Sequence, residues 1–177
     1  MTAPVRPAAT KSYLRDKWIF VPAGTYDPTA PSLAILTGAS ALDVTKMFFA
    51  SSARPSQSTN LARAPKRIGD GASYEFVGET QLTFGEVHYA FNPQAPSGDD
   101  QKKAAETLLE GVTGWMVNRL GIDRDTDVAV GEFVTSYPVE AGPQLEAPEG
   151  DDEGAEVSLV QTLALTGPKV LNVAVAA

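Results

Sequence analysis

Apolar residues recur at Ala105, Leu108, Leu109, Val112, Trp115, Met116 and Leu120, while Lys102, Lys103, Glu106, Glu110 and Asn118 fall between them. That spacing is the i, i+3, i+4, i+7 pattern of one buried helix face, and it predicts a core helix over about 98–120. Ser97 suits the N-cap, Asp99 and Asp100 put negative charge in the first turn, and Arg119 and Gly121 suit the end. Gly111 and Gly114 each cost about 1 kcal/mol inside a helix, so close packing against the backbone is expected there.

Elsewhere the pattern is that of strands. The run from Lys17 to Val21, closed by Pro22, predicts a first strand, 32–36 a single helical turn closed by Gly38, and 42–50 renewed β character. Leu82 and Phe84 share one phase, but after Gly85 the apolar positions move to Val87, Tyr89 and Phe91. Val128 and Val130 likewise give way, after Gly131, to Phe133, Thr135 and Tyr137. A one-residue slip at glycine predicts a β-bulge and a bent strand at Gly85 and at Gly131. The stretches 157–165 and 171–175, joined through Gly167 and Pro168, predict a C-terminal hairpin.

Two long stretches show no period. Residues 51–72 carry Arg54, Arg63, Lys66 and Arg67 against one acid, Asp70, and read equally as a mobile surface loop or as a docking loop that reaches an acidic neighbour. Residues 138–154 hold three prolines and the acids Glu146, Glu149, Asp151, Asp152 and Glu153, which predicts a solvated or partner-facing surface loop. With 1–16 read as an extended N-terminal arm, the expectation is one mainly β (α+β) domain over 17–177, sandwich- or barrel-like, with one flanking helix and long loops.

Charge sharpens this picture. The net charge of −8 argues against simple nucleic-acid binding. It divides into +5 over residues 1–70 and −13 over 71–177, so opposite parts of one subunit are suited to meet in an assembly, although solvated faces explain single charge runs as well. No apolar run is long enough to span a bilayer and no export pattern opens the sequence, so a soluble protein made in the cytosol, with no membrane partner, is expected.

Candidate chemistry is sparse. With no cysteine and one histidine, thiolate zinc sites, cysteine nucleophiles and sites with two imidazoles are excluded. His88 sits between Val87 and Tyr89 as a structural sheet residue, no serine lies in a nucleophile elbow, and Gly69, Gly71 and Gly78 form no phosphate-cradling turn. The acids of 146–153 do not follow an EF-hand spacing. No catalytic residue, metal site or cofactor is expected.

The ordered segments 17–26 (KWIFVPAGTY), 31–44 (PSLAILTGASALDV), 53–74 (ARPSQSTNLARAPKRIGDGASY), 85–93 (GEVHYAFNP) and 165–175 (LTGPKVLNVAV) resemble the major tail, or tail tube, proteins of long-tailed phages, especially those infecting actinobacteria. The acidic stretch 146–153 matches least. The resemblance implies a structural virion protein, not an enzyme: a β-sandwich flanked by one helix, assembled as hexameric rings that stack head to tail into a hollow, non-contractile tube. Such a tube surrounds a tape-measure protein, meets tail-tip and tail-terminator proteins, is built in the host cytoplasm, and passes double-stranded DNA without specific binding. A tail terminator, neck or capsid decoration protein with a similar fold is the competing expectation.

Overall fold

The computed structural model describes residues 13–50, 52, 54–69, 71–148 and 156–177. The N-terminal arm expected over 1–16 lies outside this set up to residue 12, as do Glu149, Asp151, Asp152 and Glu153. The described chain is mainly β: nine strands and two short helices, with a curled antiparallel sheet shaped as half a barrel.

Seven strands make that sheet, β1 (Asp16–Pro22), β2 (Leu42–Asp43), β5 (Gly85–Ala90), β6 (Thr113–Leu120), β7 (Phe133–Pro148), β8 (Val157–Leu165) and β9 (Val170–Ala174). They lie in the order β2, β1, β6, β7, β8, β5, with β9 also on β7. β3 (Ser56–Arg63) and β4 (Glu75–Thr83) form a separate two-stranded sheet. The helices are α1 (Leu33–Leu36) and α2 (Asp100–Thr107).

The sheet is buried on two faces. One core gathers Phe20, Phe84, Val87, Tyr89, Met116, Val139, Leu159 and Leu163 under Ala104, Ala105 and Leu108 of the α2 region. The other gathers Ile19, Val21, Val117, Val134 and Val175 with Leu36 of α1, Tyr26 and Val128. Central strands buried on both sides read as continuous apolar runs.

That double burial explains the main correction. The expected helix over 98–120 is helical only over Asp100–Thr107. Leu108 is its C-cap, Leu109 and Val112 lie in the following turn, and Trp115 and Met116 belong to strand β6. Met116 enters the first core and Val117 the second, so a strand with two buried faces counterfeits the helical period. A Cβ on Gly114 would lie 2.6 Å from the Phe20 ring, so the close packing expected there is strand packing, but none is found at Gly111, where a Cβ would meet nothing and the glycine serves its φ of +78 instead. The N-cap is Asp99, whose side chain accepts from the Gln101 N–H, rather than Ser97.

Other boundaries shift for similar reasons. Residues 51–72 are no structureless loop: they contain β3 and the turn of a hairpin, aperiodic because all of β3 is exposed and a bulge falls between Thr59 and Leu61. Residues 138–148 continue β7 beside β8, with Gly142 and Pro143 absorbed where the register slips between Ala141 and Gln144. The C-terminal hairpin does not form: β8 and β9 lie end to end along β7, and Thr166 donates to the Pro138 carbonyl at 3.1 Å, so 166–169 bulges out without reversing the chain. β2 keeps only two residues of the expected strand 42–50. Further along, Phe49 and Ala90 donate to His88 and Met47 carbonyls at 2.8 and 3.1 Å and cover the outer edge of β5.

Gly85 takes φ +91 where β4 hands over to β5, and Phe84 and Val87 both enter the first core across the slip. Gly131, at φ +87, lies in the turn before β7 and not within a strand. Val134 is the buried residue there, and Phe133 is exposed.

Candidate functional site

The largest departure from ordinary burial is the β3–β4 hairpin. Its eight-residue strand β3 spans about 26 Å at roughly 3.3 Å per residue, and every residue of β3 is exposed. An isolated two-stranded hairpin is marginal in water. Yet this one carries Leu61 opposite Val77 and Ala62 opposite Phe76, with Leu61, Phe76 and Val77 62%, 59% and 76% exposed. Tyr74 and Ile68 add apolar surface towards the tip. Leu61 and Val77 share one face and Phe76 the other, and exposed apolar surface of this kind marks an interaction site.

The root of the hairpin is tied to the subunit. Phe84 packs edge-on to Trp18 and Tyr137 at ring separations of 5.7 and 6.1 Å. Lys169 Nζ donates to Gln57 Oε1 at 3.2 Å, and the Ser56 and Thr83 hydroxyls bond across the strands at 2.9 Å. Arg54 is part of this anchor: it pairs with Asp16 at 2.9 Å, and Arg124 pairs with the same carboxylate at 3.2 Å. Of the four cations expected to reach a neighbour, Arg54 is therefore engaged within its own subunit, while Arg63, Lys66 and Arg67 are exposed on the outer half of the hairpin.

Two buried polar networks hold the sheet that carries the hairpin. Arg119, only 1% exposed, donates to the carbonyls of Asp123, Thr126 and Asp127 at 2.7, 2.8 and 3.0 Å and to Glu132 at 2.9 Å. It thereby folds the whole 121–132 turn onto β6. Around Tyr89, Gln161 donates to the Leu108 and Gly142 carbonyls, both at 2.7 Å, and Gln144 donates to those of Ala105 and Leu108 at 2.9 and 3.0 Å. These amides satisfy the carbonyls left open at the end of α2. Tyr89 donates to Gln161 at 3.0 Å, and burial pushes its phenol up to about 12. None of these roles was legible in the sequence, where Arg119 read as a helix-end charge; the acid-rich GIDRDTD turn after it was the one available cue.

The remaining predicted residues fall apart. Glu146 lies in β7, exposed, and Glu140 is exposed on the same strand. His88 is half-buried in β5, where Ser52 Oγ accepts from its N–H at 2.8 Å and donates to its carbonyl at 2.7 Å. Among the described residues no three His, Asp or Glu gather to hold a metal. Glu86, His88, Leu145, Val160 and Thr162 alternate with the core residues of β5, β7 and β8 and so share the sheet face that neither core covers.

The features that stand out among the described residues are thus an exposed hairpin and a sheet face that neither core covers. No curated protein matches the chain. A family model described as phage tail tube protein matches residues 5–177.

Proposed function

The chain belongs to the phage tail tube protein family, and from that premise we propose that it forms hexameric rings stacked head to tail into a hollow tube. Members of this family are structural, non-enzymatic parts of the virion tail that assemble with themselves and with other tail components. The observation that carries the ring-stacking reading is the β3–β4 hairpin, whose apolar residues Leu61, Phe76 and Val77 stay exposed among the described residues. Head-to-tail contact joins two different surfaces, which closes a ring when the rotation between copies closes and builds an open filament, as in ring stacking, when it does not. Arg63, Lys66 and Arg67 then meet acids of the next ring, consistent with the +5 and −13 division of the chain.

Within the tube lie the tape-measure protein and, later, passing double-stranded DNA; tail-tip and terminator proteins close its ends. Six copies at −8 each give a ring of −48, and such a wall repels phosphate, so that the genome slides. We assign the bare face of β5, β8 and outer β7, with Glu86, to the bore. A long, non-contractile tail of an actinobacterial phage is the setting that the sequence resemblance supports, with 17–177 as the tube domain and 1–16 as its arm.

Negative-stain electron microscopy across a concentration series tests this. Hollow tubes of uniform width are expected. Closed rings that never stack would instead indicate a terminator, and a particle that joins neither itself nor tail-tip proteins would overturn the reading.

A further inference from the structure

The fold also indicates where on a second copy the hairpin lands, an inference that rests on the assembly reading above. β7 defines two ends of the sheet, at Phe133 and at Pro148. Gly85 lies opposite Leu163, which lies opposite Ala141, and β5 runs from there towards the Pro148 end, where Ala90 lies opposite Ser158 and Ser158 opposite Ala147. The chain before Gly85 therefore lies towards the Phe133 end. Lys169, next to the Val170–Ser136 pair, meets Gln57 on that side. The hairpin thus departs from the Phe133 side of the sheet.

The Pro148 end has the opposite character. Val157 is exposed there on the sheet face it shares with Glu146, Glu156 stands exposed beside it, and a shallow cleft opens between Phe91, Asn92, Gln101, Glu156 and Val157. Phe91 and Val157 give it apolar surface, Asn92 and Gln101 polar surface, and Glu156 a negative charge. The hairpin offers a matching set on one face: the Leu61–Val77 pair and Arg63, with Lys66 beyond them.

We propose that the outer half of the β3–β4 hairpin docks on the Pro148 end of β7 and β8 in the next copy. Its Leu61–Val77 pair covers Val157, and its cations face Glu146 and Glu156. Complementarity in both apolarity and sign selects this occupant. Because hairpin and receptor are different surfaces at opposite ends of one sheet, the contact is heterologous and propagates as a filament where successive copies do not close a ring. The apolar pair Leu120 and Phe133 is exposed too, but it lies at the hairpin's own end, where a reciprocal contact would close a dimer.

A charge swap tests the assignment. Glu146→Lys/Glu156→Lys and, separately, Arg63→Glu/Lys66→Glu are each expected to leave the monomer's melting temperature unchanged and to cut tube length at least tenfold. Combining all four substitutions is expected to restore long tubes. Because the chain lacks cysteine, Lys66→Cys with Glu156→Cys gives a second readout: oxidised tubes should run as a disulfide-linked ladder on a denaturing gel. Normal tubes from the Glu146/Glu156 variant, with the Arg63/Lys66 variant still blocked and no ladder, would overturn this receptor while leaving the hairpin's role intact. Normal tubes from both variants would overturn the hairpin's role as well.

Discussion

Arg119 is the residue on which one end of the sheet depends. Its guanidinium replaces water for three backbone carbonyls and one carboxylate, so removing it strands all four groups. Arg119→Ala is expected to cost about 3–5 kcal/mol, the scale for breaking a buried pair, as read by urea unfolding of the monomer. Arg119→Lys should recover little, since one ammonium cannot span the four acceptors. The buried phenols make a second residue-level prediction. Burial raises Tyr89 from 10.0 to about 12 and also raises Tyr26 and Tyr137, with a hydrogen bond from Ser136 partly opposing the rise at Tyr26. A folded-state value above the unfolded one means that each contribution is intact below the ordinary phenol value and is lost as pH rises past it, for Tyr89 through 10 to 12. Stability followed by circular dichroism should fall across that window, and Tyr89→Phe should flatten part of the fall.

Among the elements, β6 and the β3–β4 hairpin are the informative pair. β6 was legible as a buried segment but not as a strand, because Met116 and Val117 bury opposite faces while Trp115 and the neighbouring leucines complete a helix-like stripe. What betrays the strand is Gly114, which admits the Phe20 ring and the Val21 carbonyl, each 2.6 Å from where a Cβ would stand. Gly114→Ala is therefore expected to destabilise the monomer by about 1–3 kcal/mol through overpacking, a result a solvent-facing helical glycine would not give. The hairpin failed to show in the sequence for the opposite reason: with neither face buried, selection for alternation is absent. Its amides should exchange with deuterium rapidly in the monomer and become protected in tubes, while those of β6 and β7 stay protected in both.

For the whole molecule, the decisive property is that charge and apolar surface are distributed along one direction. The acids of the chain are mostly in its second part, and the outer half of the hairpin carries the exposed cations Arg63, Lys66 and Arg67. Elongation that relies on these charges should slow as salt rises from 0.05 to 0.5 M, a range over which screening contracts from beyond about 10 Å to well below it. Light scattering would record that change. Placing Glu86 on the bore wall predicts that Glu86→Lys tubes assemble normally but retain double-stranded DNA at low salt, where wild-type tubes release it.

Local composition by itself determined a mainly β chain without thiol or paired-imidazole chemistry, the strand at Trp18–Val21, the slip at Gly85, the uneven charge and the order of segments shared with the tail tube family. These depend on neighbours a few residues apart. Only the tertiary structure decided that 113–120 is a strand, that β8 and β9 run end to end on β7, that Arg54 anchors its own subunit, and that an exposed hairpin replaces a loop. Each of those turns on pairing between residues far apart in the chain, which periodicity along one segment does not encode.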